Sequence, residues 1–144
     1  MKKLILLLFI PLVSFSQIND QSKLNLENKK EKIVKFSEVE SAPFYINWCT
    51  SNLAVDKIRE CTDSGIKLFA KQNFNTELAN ELKLSGFQRI TSAFTIDKNG
   101  DIINIRVRGT RPQLEEEAIR VINLLPKMEP GKQNGKAVSV SYLL

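Results

Sequence analysis

QRITSAFTIDKNGDIINIRVR, residues 88–108, decides the fold. Ile90, Phe94 and Ile96 fall on one side of an extended chain, and Ser92 completes that side. Ile103, Ile105 and Val107 then alternate with Asn104, Arg106 and Arg108. Successive side chains of a strand point to opposite faces, so each run offers an apolar face to a core. Between the runs stands Asp97-Lys98-Asn99-Gly100, in which Asn and Gly tolerate positive φ. The segment is predicted to be an antiparallel hairpin with one buried face. Its turn also has a superficial likeness to a calcium loop. An EF-hand places Gly sixth and a bidentate Glu twelfth, whereas, counted from Asp97, Gly100 is fourth and Arg108 is twelfth. The string reads as a turn.

Downstream, the period changes from two to 3.6. Leu114, Ala118, Val121, Ile122 and Leu125 share one face over residues 114–125, while Glu115, Glu116 and Arg120 turn away from it. Pro112 suits the first turn, residues 115–117 set carboxylates near the positive helix end, and Pro126 closes the helix. Three consecutive carboxylates point in different directions and make a poor metal site. Residues 129–135 read as a loop. Val138, Val140 and Tyr142 then alternate with Ser139 and Ser141 in a last strand. Upstream, Ile66, Phe69, Ala70 and Phe74 mark a helix over residues 59–74, with Gly65 weakening its first turn. Asn75 or Thr76 caps a second, short helix with Leu78, Ala79 and Leu82 as its buried stripe, ended by Ser85-Gly86.

These elements define an α+β class, with a three-stranded antiparallel sheet packed on two main helices. The helix between the second and third strands is a crossover, so the third strand runs parallel to the second and pairs with the first, in order 2-1-3. One edge of the last strand is then free. Unpaired backbone groups on such an edge accept another chain by strand addition. The expected binding residues are Val138, Ser139, Val140, Ser141, Tyr142 and Leu143. Proline at 139 or 141 is expected to separate two roles, one N–H facing the partner and the other the first strand.

The amino terminus carries a different pattern. Met1-Lys2-Lys3 is a short basic region, residues 4–13 are an apolar run broken only by Pro11, and Ser14-Phe15-Ser16 places small residues at −3 and −1 of a cut before Gln17. This is the three-part form of a secretory signal, and the run is shorter than the roughly 20 residues of a membrane span. The expected organisation is a signal peptide at 1–16, a polar tether at 17–35 and a domain at 36–144. The chain is therefore expected in the periplasm, or membrane-anchored if the signal stays uncleaved. Export bears on Cys49 and Cys61, twelve residues apart. In an oxidising compartment they pair most simply with each other, the alternative being two separate thiols. Their spacing is not that of a CxxC redox motif, and two thiolates without further ligands make a poor zinc site.

Composition narrows the function. The 144 residues, 42% of them hydrophobic, supply one modest core. A net charge of +5 falls to +3 without Lys2 and Lys3 (19 basic against 16 acidic residues), so charge names no nucleic-acid partner. The sequence has no histidine, which removes Ser-His-Asp and Cys-His catalysis and an imidazole base. An enzyme is not expected, and no cofactor or metal is implied.

FNTELANEL from Phe74, FTIDKNGDI, LEEEAIRVINLLPKMEPGK and GKAVSVSY follow one another in the order and spacing of the C-terminal domain of TonB. The resemblance runs from Phe74 to Tyr142, about 70 residues, and the stretch Val39-Glu40-Ser41-Ala42-Pro43 with the two cysteines looks like a lead-in variant. The resemblance implies a periplasmic protein-binding module that adds a TonB-box-like peptide of an outer-membrane transporter to its sheet edge, linked to TonB-dependent transport. The alternative it leaves is a structural or assembly module of the envelope that self-associates, as a homodimer, through the same edge. Complete TonB proteins carry a membrane helix with a histidine and a long Pro-rich spacer, and neither stands in this sequence. Relatives also continue beyond the position of Leu143-Leu144, so a short edge strand is expected.

Overall fold

The computed structural model describes residues 31–144. The expected signal peptide and residues 17–30 of the expected tether lie outside the described residues. In chain order the elements are β1 (Val34–Lys35), α1 (Val55–Asn73), α2 (Leu78–Glu81), β2 (Thr91–Ile96), β3 (Ile102–Arg108), α3 (Pro112–Asn123), β4 (Gly131–Gln133), β5 (Lys136–Val138) and β6 (Val140–Leu143).

The α+β class stands, with one correction: the main sheet has four strands and is mixed, in order β1-β6-β2-β3. Its β6-β2-β3 portion is antiparallel and has the expected order. The fourth strand was not legible. Val34–Lys35 falls at the end of the segment read as a tether, and it pairs parallel to β6, Val34 opposite Val140 and Lys35 opposite Ser141. Two residues are too few to show a period, so nothing in the sequence marks them as a strand.

The hairpin forms around a turn in which the Asp97 carboxylate accepts the N–H groups of Asn99 and Asp101. Gly100 has φ of 85°, and a Cβ there would meet the Met128 carbonyl oxygen at 1.7 Å. No other residue fits. The register shifts between Ala93 and Thr95, opposite Asn104 at φ 54°. This bulge changes the facing of β3. Ile102, opposite Ile96, joins the core, and Ile103 is exposed, so the expected alternation of Ile103 with Ile105 and Val107 is broken.

Ile96, Phe94, Val107 and Tyr142 of the sheet meet Ile66 of α1 and Ala118 and Ile122 of α3 in one core. Each large apolar side chain removed from water contributes roughly 1.5–3 kcal/mol. Helix α1 begins at Val55 rather than near residue 59 and runs through Gly65. A Cβ on Gly65 would lie 2.5 Å from the Trp48 ring, so the glycine is a seat for that ring, not a helix end. In α2 none of Leu78, Ala79 and Leu82 is fully buried, contrary to the expected stripe. Residues 129–135, read as a loop, hold β4 and a tight turn at Asn134 and Gly135 (φ 50° and 72°) that leads into β5.

The lead-in is structured. Val39 and Ala42 pack with Ile58 and Val140 in a second cluster. Ser41 bridges Lys132, and Phe44 bridges Glu129. Cys49 and Cys61 are joined, Cα to Cα 5.9 Å, tying this segment to α1.

Candidate functional site

Strand β6 is built by alternation. Ser92 and Leu144 exchange both backbone hydrogen bonds at 2.7 Å, and stepping by two makes Tyr142 and Val140 the residues whose backbone groups face β2. Ser139, Ser141 and Leu143 therefore turn their N–H and C=O groups to the outer edge. The two prolines considered from sequence would both act on this outer edge, because positions 139 and 141 differ by two; the expected division of roles is corrected.

The outer edge is not bare. Val34 N–H donates to Ser139 C=O and Phe36 N–H to Ser141 C=O, each at 2.9 Å. The expected row of free groups over residues 138–143 is thus covered by the chain's own β1 along Ser139–Ser141. At its start, Val138 belongs to β5, opposite Gly131. At its end, Leu143 projects beyond β1 and is 70% exposed. There the surface opens into a slot of about 420 Å³ that Phe36, Ser37, Asp63, Tyr142 and Leu143 help to line.

Side chains anchor this arrangement. Val140 and Tyr142 are buried, as their alternation predicts. Ser139 is buried too, against expectation, and its hydroxyl has no hydrogen-bond partner among the described residues. The Tyr142 ring meets Phe36 edge-on at 4.9 Å and Phe94 at 5.2 Å. Its hydroxyl donates to Asp63 at 2.7 Å, and Lys67 holds the other Asp63 oxygen at 2.7 Å. Burial, and then the Asp63 contact, push the Tyr142 phenol far above its ordinary value. Partial burial raises the Asp63 carboxyl, but the Lys67 and Tyr142 hydrogen bonds outweigh it and leave it below the ordinary range. Asp63, Lys67 and Phe36 were not singled out from sequence, since only the fold brings them to Tyr142.

No group of three or more His, Cys, Asp and Glu placed to hold a metal occurs among the described residues. None of the described helices is long and apolar enough to cross a membrane. What the arrangement can do is accept an extended backbone. The sheet is backed by helices on one face, and its β6 edge is covered only along Ser139–Ser141; a lightly covered edge of this kind is the geometry that strand addition uses.

Residues 77–144 match the family model described as Gram-negative bacterial TonB protein C-terminal. The family is one of non-enzymatic protein-interaction domains of the cell envelope. The match spans α2 to β6 and stops short of β1, the lead-in, the disulfide and α1. No curated protein and no solved structure matches the chain.

Proposed function

We propose that the protein is an exported envelope module that captures an extended, TonB-box-like peptide of an outer-membrane transporter by adding it to the outer edge of β6, in the service of TonB-dependent transport. The mature chain would begin at Gln17. The observation that carries the reading is how little covers that edge. Strand β1 is two residues long, and the cover donates through the Val34 and Phe36 N–H groups, to Ser139 and Ser141. A peptide entering at Leu143 and the Phe36 slot displaces β1 and pairs along Ser139, Ser141 and Leu143, replacing a short cover with a longer one.

The test is titration of transporter N-terminal peptides into two variants. Val34→Pro removes the N–H that β1 gives to Ser139, so the edge is uncovered. A net backbone hydrogen bond contributes about 1 kcal/mol, so peptide binding should tighten about fivefold. Leu143→Pro removes an outward N–H needed by the peptide and should weaken binding. If both variants bind as the unaltered protein does, β6 is not the receiving edge. Concentration-dependent self-association without peptide capture would instead favour the assembly module.

A further inference from the structure

The sheet has a second edge. Strand β3 lies outermost opposite β1, and no described strand pairs with its far side. Since Ser92 faces β6, Thr91, Ala93 and Thr95 face β3, and their partners Arg108, Arg106 and Ile103 point inward. Ile105 and Val107 therefore present their N–H and C=O groups outward. The side chains of Arg106 and Arg108 stand on the sheet face away from the helices, both exposed, beside the small residues Thr91 and Ala93. These four residues, with Val107, line a groove of about 410 Å³.

The charge here is one-sided. Arg106 and Arg108 make no ion pair among the described residues, nor do Arg89 and Arg111 at the same end of the hairpin. Glu115 is engaged nearby by the Gly109 N–H at 2.8 Å, and Asp97 and Asp101 stand at the turn, the opposite end. Edge charges of this kind repel a second copy of the same strand. They attract a strand of opposite charge.

We propose that the outer edge of β3 is a second strand-accepting edge, which takes an extended acidic segment of a partner protein with carboxylates at every second residue. Alternate residues of a strand lie on one face, roughly 7 Å apart, which is also the spacing of Arg106 and Arg108 along β3. Each carboxylate of the partner meets one guanidinium while its backbone pairs with Ile105 and Val107. The arginines select the partner and the backbone holds it. This edge is separate from β6, so the two binding events are independent.

The experiment uses the full chain with a synthetic peptide alternating glutamate and valine, and its lysine counterpart. The glutamate peptide should bind, slow hydrogen exchange at the Ile105 and Val107 amides, and lose affinity in salt. The double variant Arg106→Glu with Arg108→Glu changes only exposed side chains and should weaken binding about tenfold or more. Val107→Pro removes an outward N–H and also a core side chain, so it is read only in protein whose amide spectrum shows the fold kept, and there it should weaken binding as well. Equal affinity for both peptides, or unchanged binding to the charge-reversed variant, overturns the proposal. Displacement by inorganic phosphate with the Ile105 and Val107 amides unprotected overturns it too, since the site is then an anion patch and not an edge. A response to Val34→Pro assigns the peptide to β6 and likewise overturns it.

Discussion

Asp63 joins α1 to β6. It accepts from Tyr142 of β6 and from Lys67 one helical turn along α1. Its carboxyl is held below the ordinary range in the folded chain. A depressed carboxyl stabilises the fold above its unfolded value, and that stabilisation is lost as pH falls through the folded value. Denaturation midpoints should therefore drop below about pH 4. Asp63→Asn should be less stable at neutral pH and should flatten this acid limb. A variant whose midpoints fall with acid as steeply as those of the unaltered protein would show that other carboxyls carry the limb. Glu117 is the group to examine next, because Arg120, despite some burial, lowers its carboxyl with help from the Asn75 N–H.

Among the elements, those with a sustained period were legible and those held by distant partners were not. The hairpin and α3 follow from residues 88–125 because alternation and a helical stripe are local properties. The bulge at Asn104 escaped because a single extra residue leaves the composition of the strand unchanged. Gly65 read as a weak helix start because its tenant, Trp48, lies 17 positions back in the chain (65 − 48). The order of strands predicts an edge at residues 138–143, but not its cover, since Val34–Lys35 has no pattern of its own. The lead-in was legible through Val39-Glu40-Ser41-Ala42-Pro43 and its two cysteines, but not its bridges to Lys132 and Glu129. Replacing both Cys49 and Cys61 by alanine should cost roughly 2–3 kcal/mol, the order expected for a loop of this length. Chemical denaturation of oxidised, reduced and double-alanine protein measures it. Equal midpoints in all three would show that Trp48 in its seat, not the covalent bond, secures the lead-in.

At the scale of the molecule, the family match and the folding unit do not coincide. The match begins at residue 77. The cores do not divide there: Ile66 and Phe69 of α1 complete the main cluster, and Val39, Ala42 and Ile58 enclose Val140 in the other. A fragment of residues 77–144 would expose the helix-facing side of β2 and β6. It should therefore lack dispersed amide resonances, whereas a fragment of residues 31–144 should keep them. A well-dispersed spectrum from the shorter fragment would show that α1 and the lead-in are additions to a self-sufficient fold.

The bridges of the lead-in also fix how the chain would carry mechanical load. Tension applied upstream of Val34 reaches the β1–β6 contacts first, then the bridges of Ser41 to Lys132 and Phe44 to Glu129, and then the covalent stop at Cys49. Peeling residues 34–49 from the surface would release about 50 Å of slack at the extension of an unfolded chain. Strands β2 and β3 lie outside that path until the stop is reached. The oxidised protein would behave as a fuse with a fixed length of travel, yielding in order at its amino-terminal end while the far edge of the sheet stays unloaded. In a pulling experiment, reduction of the bond would remove the stop and let the extension run on into α1.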